Sequence, residues 1–227
     1  MKRLFFLLFT CLSVSTAFPQ TAHTGFKQLQ FSTKMIDGTD FFSNYWNNIH
    51  LYFMKGHKFE YACITCPPND PQSCLLIGES TLTLITLDKN IWQYSIDKKE
   101  DKKPKSSFKT INVSQRFAYV LCSLIDLGSL TSNAYDTTRL THTTPTYFLS
   151  SSPFHHSSKT IATGSAPDGG GNEASQLMDL INKIRDAVAG EHPLDETELE
   201  ERIRSLHKRL FTHLPTDFVD RKFYEIK

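Results

Sequence analysis

Two cysteines three residues apart, in Cys63-Ile64-Thr65-Cys66, are the side chains here most directly suited to chemistry. A C-x-x-C pair acts as a redox dithiol when it opens a helix, whose N-terminus lowers the thiol pKa. Here Pro67-Pro68-Asn69-Asp70-Pro71 follows, a run of turn formers that blocks a helix. The pair is also half of a zinc knuckle, with His57 as a helper, but no second C-x-x-C or H-x-x-H follows. Together with Cys74 and Cys122 these cysteines form an even set in the body of the chain. Structural disulfides are their expected use if the chain is exported. A Cys63–Cys66 bridge would close a short, strained loop, so each is expected to pair with Cys74 or Cys122.

Other reactive spacings are missing. Gly78-Glu79-Ser80-Thr81-Leu82 lacks the second glycine of a nucleophile elbow. There is no H-E-x-x-H and no P-loop, and Gly169-Gly170-Gly171 has no phosphate-binding lysine. Asp37-Gly38-Thr39-Asp40 lacks the alternation of a calcium loop. His155 and His156 are adjacent, so in an extended chain they point to opposite faces and chelate one ion badly. No catalytic residue, metal ligand or cofactor is assigned.

The N-terminus carries an address. Lys2 and Arg3 precede an apolar stretch over residues 4–12, and Ser15 and Ala17 stand at −3 and −1 of a cleavage point. This is the layout of a signal peptide over residues 1–17, too short to span a membrane as a mature helix. It predicts a secreted, periplasmic or cell-envelope protein. Of 25 basic residues against 24 acidic ones, cleavage removes Lys2 and Arg3 and brings the formal charge to −1. A protein that neutralises phosphates needs a basic excess, so nucleic acid is not an expected partner.

The elements that must position these groups change character along the chain. Residues 26–64 read as largely extended, with a β-hairpin of 49–54 and 58–64 turning at Lys55-Gly56-His57. Leu82, Leu84 and Leu87 alternate with threonines as a strand, and residues 91–96 alternate as another. Residues 108–113 read as the return strand. The connection between them holds Lys98, Lys99, Lys102, Lys103 and Lys105, a solvated tip or a basic patch for an acidic surface. Phe117, Val120, Leu121, Leu124 and Ile125 form one helix face over 115–127, with Ser114 as cap and Gly128 as stop. A buried strand is the alternative there. Thr146-Tyr147-Phe148-Leu149 reads as a further strand.

Residues 150–171 are rich in Ser, Gly and Pro and read as a flexible connector in which Ile161 and Ala162 could pair briefly. Beyond it Leu177, Ile181, Ile184 and Val188 repeat at spacings of 4, 3 and 4. So do Leu199, Ile203, Leu206 and Leu210. Asn172 and Asp195 cap the starts, Gly190 the first end, and Pro215 stops the second helix.

The reading is an α+β protein: a β-rich N-terminal domain with one helix over 24–149, the connector, and a C-terminal antiparallel helical hairpin with an aromatic tail over 172–227. The two apolar stripes form an expected interaction surface for self-association or a protein partner. The function expected is a non-catalytic binding or structural module. A small hydrolase whose site forms only in the fold is the first rival, and a thiol-redox or zinc protein using Cys63 and Cys66 the second.

Overall fold

The computed structural model describes residues 27–29, 41–67, 69–95, 102–131, 133–135, 146–151, 160–164 and 172–214. The expected signal peptide, the histidine pair, Pro215 and the aromatic tail lie outside the described residues.

The N-terminal aromatic stretch folds as a helix, α1 (Phe41–Phe53), rather than the first arm of a hairpin. Tyr45, Ile49 and Phe53 stand at i, i+4 and i+8 and are all buried, a helical period hidden among residues of high strand propensity. Three antiparallel strands follow: β2 (Tyr61–Cys66), β3 (Ser73–Ile77) and β4 (Thr81–Leu87). The turn into β4 requires glycine at 78, since a Cβ there would stand 2.7 Å from the Thr81 hydroxyl oxygen. Residues 91–95 form a short helix, α2 (Ile91–Ser95), instead of the expected strand. The Asn90 side-chain oxygen accepts from the Trp92 and Gln93 N–H groups, and that local cap competes with the alternating pattern.

β5 (Ser106–Asn112) is a strand, as expected over 108–113, but with residues 91–95 helical it returns along β4 and not along that segment. Helix α3 (Gln115–Leu130) starts at Ser114, whose hydroxyl accepts from Phe117 N, and runs through Gly128. The remaining elements are β1 (Lys27–Leu29), β6 (Asn133–Tyr135), β7 (Thr146–Ser151), β8 (Thr160–Gly164), α4 (Glu173–Ala189) and α5 (Glu196–Thr212). The strands form one sheet in the order β5-β4-β3-β2-β7-β8-β1-β6, antiparallel except for the β1–β6 pair. Caps at Asn172, Gly190 (φ 87°) and Asp195 bound α4 and α5 as expected. The fold is mixed α+β.

Two cores lie on opposite faces of the sheet. Alternation in β2, β3 and β4 sends Tyr61, Cys63, Leu75, Ile77, Leu82 and Leu84 to one face, under α3, α4 and α5. It sends Ala62, Ile64, Cys66, Cys74, Leu76 and Ile85 to the other, under α1 and α2. The segment expected as a connector contributes β8, paired with β7 and β1, so it does not separate two cores.

The eight stripe residues read as an interaction surface are buried inside the chain. Leu177, Ile181, Ile184, Val188, Leu199, Ile203, Leu206 and Leu210 all belong to the core shared with α3 and the sheet. Short helices need a third surface to cover their stripes, and the sheet supplies it. Polar bonds seal the contact: Ser114 donates through N–H and Oγ to Glu196, and Arg116 and Arg204 both bind Glu200 at 2.8 Å. No helix among the described residues is long and apolar enough to cross a membrane.

Leu206→Asp puts a charge into this shared core, and burying an unpaired charge there costs several kcal/mol. The expected result is one cooperative transition, shifted well below wild type, in thermal unfolding followed by circular dichroism. Loss of helical signal alone, with the sheet unchanged, would mean that the hairpin is a separate unit.

Candidate functional site

Helix α3 has two sides. Phe117, Val120, Leu121 and Leu124 enter the core, while Gln115, Tyr119, Cys122 and Asp126, at i, i+4, i+7 and i+11, form the adjoining stripe. That stripe faces Glu60 and Tyr61 at the start of β2 and Gly78 and Glu79 in the turn before β4. Between them lies an open pocket of about 390 Å³. Gly78 and Ala118 leave room in its wall. The Tyr61 hydroxyl donates to the Asp126 carboxylate, joining sheet and helix at the pocket wall. The Gln115 side-chain amide donates to Glu79 at 3.2 Å.

The electrostatics are one-sided. Glu60, Glu79 and Asp126 line the pocket, and among the described residues no lysine, arginine or histidine does. Cys122 registers the resulting field: burial raises its thiol pKa most, and the charges of Glu60 and Asp126 raise it further. Burial disfavours a charge of either sign, whereas the part due to Glu60 and Asp126 favours a cation beside them.

Ser123 forms the inner wall, and its Oγ lies 3.1 Å from Nε2 of His207 on α5. The pair is 8% and 4% exposed. Burial, and to a lesser degree the neighbouring Arg204, lowers the His207 pKa from 6.5 to about 4, so the ring is neutral at pH 7. Among the described residues the His207 ring has no hydrogen-bond partner besides Ser123, and its other contact is a stacked Phe211 ring at 6.4 Å. A neutral imidazole that accepts a serine proton has the form of a nucleophile–base pair, without a carboxylate to orient it.

Among the described residues Cys63, Cys66, Cys74 and Cys122 are free thiols, and none of the expected bridges between them is formed. Residues three apart in a strand lie on opposite faces, so β2 sends Cys63 towards α3 and Cys66 towards α1. Cys63 therefore shares a face with Cys122, and Cys66 with Cys74. This separation also removes the basis for a Cys63–Cys66 dithiol or zinc knuckle. Burial pushes the Cys66 thiol up to about 12 and raises Cys63 and Cys74 above the usual range. Such thiols are neutral, and a neutral thiol is a poor nucleophile. Among the described residues no group of three or more His, Cys, Asp or Glu is placed to hold a metal ion.

None of the pocket's carboxylates, nor Ser123 or His207, was assigned a role from sequence. A polar flank beside the apolar stripe of α3 was a readable signal. Its apposition to Glu60 and Glu79 depends on sheet register and was not. No protein-family model, curated protein or solved structure matches this chain.

Two measurements check this chemistry. A buried neutral histidine takes up its proton in the unfolded chain first, so folding stability is complete above pH 6.5 and declines as pH falls towards 4. Glu200, held below 4.5 chiefly by its hydrogen bond from Arg204, adds its own loss only further down. Urea titrations across pH 4–7 should show the first decline, and His207→Gln should flatten it. An unchanged slope in the variant would remove His207 as its source. Mass spectrometry after alkylation in denaturant without reductant should find all four of Cys63, Cys66, Cys74 and Cys122 modified, whereas unmodified pairs would restore the disulfides.

Proposed function

We propose that this protein is an exported, non-catalytic binding module whose α3 pocket takes an organic cation carried on an apolar stem. The amine of a lysine-like side chain or of an alkyl diamine is the chemistry that fits. The observation that carries this reading is the lining: three carboxylates, two tyrosines and no basic group around one pocket. Carboxylates attract the charge, and tyrosine faces add cation–π attraction while packing the stem. Tyr119, 63% exposed at the rim, offers an apolar surface with no core to fill. The N-terminal Lys2-Arg3, apolar run and Ser15-x-Ala17 support export.

Calorimetric titration of the full chain with 1,5-diaminopentane tests the pocket, with pentanoate as the anionic control. Saturable binding of the amine and none of the acid is expected. Asp126→Asn keeps an oxygen for the Tyr61 hydroxyl while removing the charge, and combined with Glu60→Gln it should weaken binding roughly tenfold or more, about 1.4 kcal/mol per tenfold. Equal binding of amine and acid, or no loss in the double variant, would sink the reading.

The Ser123–His207 contact supports a second reading, a hydrolase with Ser123 as nucleophile. It ranks below the first because a base with a pKa near 4 is poorly matched to neutral pH. A fluorophosphonate probe decides it. Labelling at Ser123 that His207→Gln abolishes would favour the enzyme, and an unlabelled Ser123 would leave the binding module.

A further inference from the structure

We propose that the outer edge of β5 is a docking site for an extended acidic peptide segment, which adds to the sheet as a further strand. β5 ends the sheet order, so one side of its backbone has no strand partner among the described residues. The ladder shows which groups those are. Val113 N–H donates to Ser80 O, and Asp88 N–H donates to Lys105 O, so the odd-numbered residues turn their backbone groups towards β4. The N–H and C=O groups of Ser106, Phe108, Thr110 and Asn112 therefore point outwards. All seven residues of β5 but Ile111 are exposed.

Such an edge is normally blunted by a bulge, a proline, a short strand or a covering loop. β5 is a seven-residue strand, lacks proline and matches β4 residue for residue from Thr81↔Asn112 to Leu87↔Ser106. Phe108 stands on it 55% exposed, its ring 5.5 Å from that of His57. A strand laid alongside would cover that ring.

Charge identifies the occupant. From Lys102 to Asn112 the chain holds Lys102, Lys103, Lys105 and Lys109 and no acid. Lys109 reaches the carbonyl of Ala189 at the end of α4, and Asp88 accepts from the Lys105 backbone. Among the described residues Lys102, Lys103 and Lys105 form no ion pair, and all three are exposed at the entry to β5. An acidic strand complements them, with main-chain bonds supplying affinity and the lysines setting the sign of the partner. A second copy of β5 would bring Lys105 and Lys109 to one seam with their counterparts.

The test uses the full chain and a fluorescein-labelled peptide, EEVEVEVEE, followed by fluorescence anisotropy. Saturable binding is expected. It should weaken at least tenfold in the Lys102→Glu/Lys103→Glu/Lys105→Glu variant and be lost in Thr110→Pro. Thr110→Pro removes an outward N–H and leaves the backbone bonds to β4 intact, at the loss of the hydroxyl bond to Thr83. A peptide N-methylated at alternate residues should fail to bind wild-type protein, which keeps the test decisive if Thr110→Pro does not fold. Equal binding of KKVKVKVKK, or retention by folded Thr110→Pro, would overturn the proposal. So would a wild-type dimer in sedimentation that Thr110→Pro converts to monomer, which would seat a second copy on the edge.

Discussion

Strands β2 and β3 present apolar side chains on both faces, and a strand with no wet side must be covered twice. All six residues of β2 are buried, and so are four of the five in β3. One helical layer cannot satisfy them. The chain before β2 supplies α1 for one face, and the chain after β5 supplies α3, α4 and α5 for the other. The position of α3 follows from this demand: its apolar stripe is taken up by the sheet, and its polar stripe is left at the margin. The pocket is that margin, where the helix stops touching the strands and carboxylates from both can remain hydrated.

The same double cover sets the protonation of the groups inside. Thiols in β2 and β3 have no nearby cation or helix N-terminus to favour the thiolate, so desolvation governs them. His207 is governed by desolvation too, but as a base it goes the opposite way and stays neutral. Burial thus withholds the ionised forms of the thiols and of His207, while Glu60, Glu79 and Asp126 stand at the margin. On the proposed reading, what this molecule offers to a ligand is electrostatic attraction at a rim more than reactivity in a cleft.

Much of the helical half was legible in sequence. Ser114, Asn172, Gly190 and Asp195 bracket helices whose apolar residues recur every three or four positions, and those local signals act where they are written. Strand β5 was legible too, but its partner was not: residues 91–96 were read as its hairpin arm, and β4 takes that place. The failures were local patterns outvoted from a distance or by a neighbour. Tyr45, Ile49 and Phe53 carry a helical period inside a stretch of strand-loving residues. Asn90 turns an alternating run into a helical turn. Strand β8 lies in a Ser- and Gly-rich stretch and is held by partners on both sides, β7 and β1, more than by its own composition. The pocket was the least legible part, because Glu60 and Asp126 are 66 positions apart in sequence and meet only through register.

The placement of β7 beside β2 has a bearing on how the chain reaches this state. β2, β3, β4 and β5 form a meander of neighbours in sequence, which can zip up early through short loops. The other side of β2 waits for residues 146–151, Tyr61 meeting Ser151 and Cys66 meeting Thr146. Until that strand arrives, an apolar six-residue edge stands open at the centre of the future sheet. Closing it demands a long loop, so β7 docking is a late, entropically costly event. Such an open apolar edge is the kind of surface through which incompletely folded chains associate.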